Sequence, residues 1–109
     1  MINVLEYEDE AGNHPYSKWF ASLNVQAALK VRTAVARMES GNFSNTKVVG
    51  QGVIEYKLDF GPGYRIYFGR DGEQLVILLG GGTKKRQSRD IEFAQGLWKD
   101  YKRRKKKGK

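Results

Sequence analysis

The turn at residues 61–63, Gly-Pro-Gly, is flanked on both sides by alternating apolar and polar residues. Alternation on both sides of such a turn predicts a half-buried antiparallel hairpin. If these three residues form the loop, Phe60 lies opposite Tyr64 and Asp59 lies opposite Arg65. The face predicted to join the core carries Ile54, Tyr56, Leu58, Phe60, Tyr64, Ile66 and Phe68. The opposite face is predicted to be polar and open, and it carries Glu55, Lys57, Asp59, Arg65 and Tyr67.

A second turn and a third strand follow this hairpin. Asp71-Gly72 is a pair favoured in two-residue hairpin turns, because both central residues of such turns have positive φ. The next strand, from Gln74 to Leu79, contains the run LVILL, which is apolar on both faces. We expect this strand to be central in the sheet and covered on both sides.

Two amphipathic segments precede the hairpin. Pro15 suits the first turn of a short helix, because its missing N–H is not needed there. Asn24 is expected to cap a longer helix that stops at Gly41. The two helices are predicted to form an αα-hairpin. Their buried stripe is predicted to contain Trp19, Phe20, Leu23, Ala27, Val31, Ala34, Val35 and Met38.

The remaining segments complete an α+β pattern. Residues 2–7 have enough apolar and β-branched side chains for a first strand, and residues 41–52 are predicted to be a polar loop. Ser88 is the expected cap of a last helix. The apolar stripe of that helix is predicted to contain Ile91, Ala94, Leu97, Trp98 and Tyr101. The predicted order is βααβββα, an antiparallel sheet with an N-terminal helical hairpin and a C-terminal helix.

The net charge of +8 is concentrated at the C-terminus. Residues 1–98 carry 12 basic and 11 acidic side chains and sum to +1, whereas residues 99–109 sum to +7. We therefore predict one domain over residues 1–101 and a disordered basic tail over residues 102–109, because such a run is too polar and self-repelling to join a core. The tail either keeps the protein soluble or contacts nucleic acid phosphates.

The composition excludes several classes of protein. The chain has no cysteine, which excludes disulfides and thiolate metal sites and favours an intracellular protein. Its acidic start lacks the basic and apolar regions of a signal peptide, and no segment is apolar for long enough to span a membrane. We expect a cytoplasmic protein with no membrane partner.

The segments GPGYRIYF and LVILLGGGTKKRQ, followed by an amphipathic helix, resemble the RelE/ParE superfamily of toxins from bacterial type II toxin–antitoxin modules. Within the superfamily the chain is most similar to the HigB-like branch of addiction-module killer proteins. The resemblance extends from the first strand to about Tyr101. It implies a RelE-like fold over residues 1–101 and a cognate antitoxin that covers the active face. It also implies an endoribonuclease, or mRNA interferase, that cleaves mRNA on the ribosome without a metal or another cofactor.

Metal-independent cleavage of RNA needs particular residue types. The 2′-OH attacks the adjacent phosphate, so the protein supplies a base, an acid and positive charge for the transition state. His14 is the only histidine and lies in a predicted loop, which excludes a two-histidine mechanism. A lysine among other cations can act as the base, and an arginine can hold a phosphate through two hydrogen bonds.

The resemblance also implies roles for particular residues. Lys57, Arg65 and Arg86 match the positions of catalytic cations in RelE-type toxins, and Lys84 is their neighbour. Glu55 matches the strand carboxylate that other members use as base. The tyrosine that RelE-type toxins carry early in the last helix is absent here, which leaves the general acid unassigned. The candidate RNA contacts are Lys85, Tyr67, Lys102, Arg103 and Arg104.

Other interpretations of these residues remain open. Arg65 could form an ordinary ion pair with Asp59 across the hairpin, and the polar hairpin face could be solvated surface. Residues 84–86 could be an ordinary charged loop, although the glycines at 80–82 permit close approach of a ligand. Two further functions fit the same features. One is a ParE-like toxin that binds DNA gyrase, and the other is a non-catalytic nucleic-acid-binding module.

Overall fold

The computed structural model describes residues 1–108 and has the predicted α+β class. Five strands form one mixed sheet in the order β1-β5-β4-β3-β2. The elements in chain order are β1 (Asn3–Glu6), α1 (Pro15–Ala21), α2 (Val25–Glu39), β2 (Thr46–Gly50), β3 (Val53–Lys57), β4 (Tyr64–Arg70), β5 (Leu75–Thr83), a 3₁₀ turn (Lys84–Arg86) and α3 (Gln87–Lys107). The observed order βααββββα corrects the predicted order βααβββα.

The additional strand is β2, which lies within residues 41–52, the predicted polar loop. It pairs with β3 in antiparallel fashion, with Val48 opposite Ile54. Val48 is 73% exposed at the edge of the sheet. A short edge strand with an exposed valine lacks the apolar alternation that identifies a half-buried strand, so the pattern here resembles a loop.

The sheet is mixed because β1 pairs with β5 in parallel, whereas every other neighbouring pair is antiparallel. The prediction of a purely antiparallel sheet is therefore wrong. The predicted αα-hairpin is also wrong, because α1 packs chiefly on β5 and α2 on β1 rather than on each other. Asn24 caps α2 as predicted, and its side chain accepts a hydrogen bond from the Ala27 N–H at 2.8 Å.

The first hairpin forms with a register that differs by two residues from the predicted one. Lys57 lies opposite Arg65 and Tyr56 opposite Ile66, and the Leu58 N–H donates to the Tyr64 carbonyl at 2.9 Å. A shift of two residues leaves every side chain on its original face. The predicted apolar face is therefore correct, and it packs under α1 and α2.

The third predicted strand is also confirmed, because β5 is covered on both faces. Val76 and Leu78 pack in the layer below α1 and α2, whereas Ile77 and Leu79 pack in the layer below α3. The turn before β5 is longer than predicted, since the Asp71 N–H donates to the Leu75 carbonyl at 2.9 Å. Four residues rather than two therefore join β4 to β5.

The last helix differs from its prediction at both ends. Its cap is not Ser88, because the 3₁₀ turn leads directly into α3 at Gln87 and Arg86 occupies the capping position without a side-chain hydrogen bond. The tail predicted to be disordered is helical over residues 102–107. Lys109 lies outside the described residues. No helix within residues 1–108 is both long enough and apolar enough to cross a membrane.

Candidate functional site

The polar face of the hairpin is covered, which corrects the prediction of an open face. Helix α3 lies across it, and Ala94 and Trp98 pack among the apolar residues of the same face. Glu55 is 1% exposed, Tyr67 1% and Arg65 4%. The apolar stripe of α3 must be buried somewhere, and this face supplies apolar partners beside its polar ones.

The covered residues form a polar cluster. Arg65 Nε lies 3.9 Å from Glu55 Oε1, and Arg65 Nη1 donates to the Gly63 carbonyl at 2.5 Å. Glu55 Oε1 also accepts from Gln87 Nε2 at 2.6 Å. Arg65 therefore pairs with Glu55 and not with Asp59, which instead lies 3.7 Å from the Lys57 amine. No local sequence pattern predicts that Gln87 belongs to this site.

Two buried polar atoms of this cluster make no hydrogen bond of good geometry within residues 1–108. They are Arg65 Nε and the Tyr67 hydroxyl. Burial, followed by the charges of Glu55 and Asp90, raises the pKa of Tyr67, and a weak hydrogen bond to the Glu55 carboxylate adds to the shift, so the hydroxyl keeps its proton. Most buried polar side-chain atoms in proteins are paired, so unpaired ones point to a functional site.

Exposed cations surround this cluster at one end of the sheet. Lys57 lies beside Arg65 across the hairpin, and the Lys84 N–H donates to the Pro62 carbonyl at 3.4 Å. A cavity of about 370 Å³ is lined by residues 84–89. We name its four basic residues the junction cations: Lys84, Lys85, Arg86 and Arg89. Within residues 1–108 no ion pair involves any of them.

Three glycines, residues 80–82, precede the junction cations, and side chains of the protein occupy most of the space over them. The Trp19 ring occupies the space over Gly81, and the Asp90 carboxylate occupies the space over Gly82. Only Gly80 has open space above it. The run therefore serves first to let α1 and α3 approach the sheet closely. Asp90 is a further site residue, because its carboxylate lies over Gly82 next to the junction cations; burial raises its pKa against the opposing effect of Arg86 and Arg89.

The basic residues at the end of α3 are not part of this cluster. Arg103 and Arg104 bind the Asp100 carboxylate at 2.5 and 2.8 Å. Lys102 lies 5.9 Å from the centre of the Trp98 ring. A helix rises 1.5 Å per residue, so the start of α3 and residues 102–104 are about 25 Å apart. The predicted RNA contacts therefore fall into two separate groups.

His14 does not line the cavity at residues 84–89. His14 Nε2 lies 3.5 Å from Glu8 Oε1 in an exposed loop. Within residues 1–108 no group of three or more His, Asp or Glu side chains is arranged to hold a metal ion.

Comparison with known proteins gives one informative relative. The chain is 39% identical over 83 residues to an uncharacterized protein of Haemophilus influenzae strain Rd. The aligned region covers 75% of this chain and 84% of that protein. No family model matches the chain.

Proposed function

We propose that this chain, which belongs to the same family as the Haemophilus influenzae protein, is the toxin of a type II toxin–antitoxin module. In this proposal it has a RelE-like fold and cleaves mRNA on the ribosome without a metal or another cofactor. Its partners are a cognate antitoxin, mRNA and the ribosome, and it acts in the cytoplasm. The supporting observation is the group of unpaired junction cations beside the buried Arg65–Glu55 pair.

The exposed cations suit the binding of an RNA phosphate. Lys57, Lys84 and Arg86 lie at the same end of the sheet, where strand ends and the 3₁₀ turn meet. In the cleavage step the 2′-OH loses its proton and attacks the adjacent phosphorus, and the 5′-oxygen leaves with a proton. The products are a 2′,3′-cyclic phosphate and a 5′-hydroxyl. Fixed positive charge stabilises the additional negative charge of the transition state.

The predicted catalytic residues differ in how exposed their side chains are, and this difference decides which of them can reach RNA. Lys57 has a side chain that is 54% exposed and is the accessible candidate for the base. Glu55 and Arg65 are buried, and Gln87 of α3 binds Glu55, so they contact RNA only if the 3₁₀ turn over residues 84–86 and the start of α3 both move. The hydrogen bond from the Lys84 N–H to the Pro62 carbonyl is long at 3.4 Å, which favours such movement.

The proposal is tested by induced expression in bacteria. We expect growth arrest with fragmented mRNA, and we expect the triple variant Lys57→Gln, Lys84→Gln, Arg86→Gln to lose both effects. A matched control is Arg37→Gln, Lys47→Gln, Lys99→Gln, which removes the same charge from exposed positions elsewhere. Growth arrest with intact mRNA, or equal loss in both triple variants, would contradict the proposal.

The burial of Glu55 and Arg65 favours a second candidate, a ParE-like toxin that inhibits DNA gyrase without catalytic residues of its own. In that case the Arg65–Glu55 pair is structural and the junction cations bind an acidic protein surface. In a non-catalytic nucleic-acid-binding module the junction cations bind phosphates instead. Trapped gyrase complexes with intact mRNA identify the ParE-like toxin, whereas arrest with neither effect leaves the binding module.

A further inference from the structure

A second cavity lies between α1 and α3 beside the glycine run of β5, and its volume is about 210 Å³. Two aromatic side chains, Trp19 from α1 and Phe93 from α3, form part of its wall. Tyr67 and Gly80 belong to its sheet side, and Lys18 lies at its border. Phe93 is 57% exposed. The wall therefore offers aromatic surface to a ligand.

A bulge in β5 creates the space. Tyr67 pairs with Gly80 and Phe68 pairs with Leu78, so Leu79 is an extra residue in β5. The bulge places Gly80, which has no side chain, directly beside Tyr67. A Cβ atom added at Gly80 would meet no heavy atom of a more distant residue within 4 Å. The floor of this cavity is thus open backbone next to an aromatic ring.

Polar groups within this apolar wall have unused hydrogen-bonding capacity. The Tyr67 hydroxyl is buried and makes no hydrogen bond of good geometry within residues 1–108, although the Glu55 carboxylate lies close enough to interact with it as a weak acceptor and to raise its pKa. The Asp90 side chain also lines the cavity. A hydroxyl donor and a carboxyl group among aromatic walls match a flat ligand that has both donors and acceptors on its edge.

The junction cations lie next to this cavity, on the side of Asp90. Asp90 follows Arg89 directly in α3, and both Arg86 and Arg89 are close enough to influence its carboxyl group. A ligand seated in the cavity can therefore place a phosphate on residues 84–89. Lys18 at the other border forms no ion pair within residues 1–108 and adds a further positive charge.

We propose that the cavity between α1 and α3 binds one unstacked base of single-stranded RNA, whose phosphate lies on the junction cations. The base packs against Phe93 and Trp19, while its polar edge meets the Tyr67 hydroxyl and the Asp90 carboxyl group. Single-stranded RNA is recognised in this way, with bases on aromatic side chains and hydrogen bonds to their edges. This inference rests on the proposed function in one respect, which is that the bound polymer is RNA.

The test is titration of the four nucleoside 5′-monophosphates, followed by NMR of the two tryptophan indole N–H groups. We expect saturable shifts of the Trp19 signal by at least one nucleotide, while Trp98, which packs next to Tyr67 and Ala94 but does not line the cavity, should shift less. Ribose 5-phosphate, which lacks a base, should bind at least about tenfold more weakly, because base stacking on aromatic residues has about that effect.

Gly80→Ala is the most direct variant, because it places a methyl group in the cavity. We expect it to fold and to weaken nucleotide binding about tenfold or more, since the methyl group displaces the base. Gly96→Ala is its matched control, because an added Cβ there also meets no neighbouring atom and Gly96 does not line the cavity. Phe93→Ala, at an exposed position, should weaken binding similarly, and Leu29→Ala, at 59% exposure, should not.

Tyr67→Phe tests whether the Tyr67 hydroxyl contributes to nucleotide binding rather than to stability. It removes a buried hydroxyl whose interaction with the Glu55 carboxylate is weak, so the stability of the folded state should change little, while nucleotide affinity falls. Equal binding of ribose 5-phosphate and nucleotides, or binding by Gly80→Ala at full affinity, would overturn the inference. Fragmented mRNA without any nucleotide binding would reject this cavity and leave the proposed function in place. Nucleotide binding with intact mRNA would reject the proposed function alone.

Discussion

The two ends of helix α3 are both basic, yet they use their charges in opposite ways. At the first end the acidic groups, Glu55 and Asp90, lie between helix and sheet, and the junction cations remain unpaired on the surface. At the last end the acidic groups lie near the surface and bind the cations. Asp100 holds Arg103 and Arg104 there.

The last end is fixed to the rest of the domain through these pairs. The Tyr7 hydroxyl donates to Asp100 at 2.6 Å, and Arg104 donates to the Glu8 carbonyl. Lys105 lies 2.6 Å from Asp71, which also accepts from the Tyr101 hydroxyl at 2.7 Å. These ion pairs order the C-terminal end of α3, whose basic side chains would otherwise repel one another.

The comparison shows that net charge alone does not locate a binding surface. The C-terminal segment carries more positive charge in sequence, but three of its cations are occupied by carboxylates. The junction cations are fewer and unoccupied within residues 1–108. We therefore assign phosphate binding to the start of α3 and a mainly structural role to its end.

The largest effect is expected from Arg65→Ala, which leaves Glu55 buried without its cation. Removing one partner of a buried pair destabilises a protein by about 3–5 kcal/mol. Urea denaturation measures the loss. Lys57→Ala, at the neighbouring exposed position, should change the free energy of unfolding by less than about 0.5 kcal/mol. Similar small losses in both variants would show that the acidic groups at this end are not effectively buried.

Neutralising junction cations should have the next largest effect, and it should fall on RNA binding. In the variant Lys84→Gln, Lys85→Gln, Arg86→Gln we expect affinity for a single-stranded oligonucleotide to fall about tenfold or more at physiological salt. Each lost phosphate contact lowers the slope of log affinity against log salt by about 0.7, so three contacts lower it by about 2. An unchanged slope, measured by fluorescence anisotropy, would mean that these cations do not meet phosphates.

Asp100→Asn tests the surface pairs at the last end of α3. The hydrogen bond from Tyr7, followed by those from Arg103 and Arg104, lowers the pKa of Asp100 from 3.8 to about 2. The variant should lose about 1 kcal/mol at neutral pH, a modest figure because surface charges are screened.

The sign of the pH dependence follows from this lowered pKa. The contribution of Asp100 is complete above about pH 4 and disappears as the pH falls toward 2, because protonation then favours the unfolded state. The difference in Tm between the original protein and Asp100→Asn should therefore shrink over that range. Asp59→Asn is the control, since its side chain is 89% exposed and should give a small difference at every pH. A constant difference for Asp100→Asn would contradict the assignment.

The smallest effect is expected from the unpaired cations of the last end, in the variant Lys102→Gln, Lys106→Gln, Lys107→Gln. We expect RNA affinity to fall less than about threefold and the salt slope to change by much less than in the junction variant. Both triple variants remove the same charge, so net charge cannot explain a difference. If the C-terminal variant lost more affinity, the comparison between the two ends would be reversed.

Local pattern alone predicted much of the hairpin, and the reason is geometric. Alternation has a period of two, so the apolar face of the hairpin is correct even though its register differs by two residues. The cap at Asn24, the double coverage of β5 and the apolar stripe of α3 are likewise properties of short segments. The grouping of Lys57 with residues 84–86 also follows from strand ends that meet at one edge.

Tertiary structure decided the rest, because it depends on contacts between residues far apart in the chain. The parallel pairing of β1 with β5 joins segments about 70 residues apart, and β2 has no amphipathic signal of its own. The placement of α3 over the polar hairpin face buries Glu55 and Arg65 and brings Gln87 and Asp90 to them. No short-range pattern predicts which face of a sheet a distant helix covers. The helix packs where it buries the most apolar surface, and that depends on the whole domain.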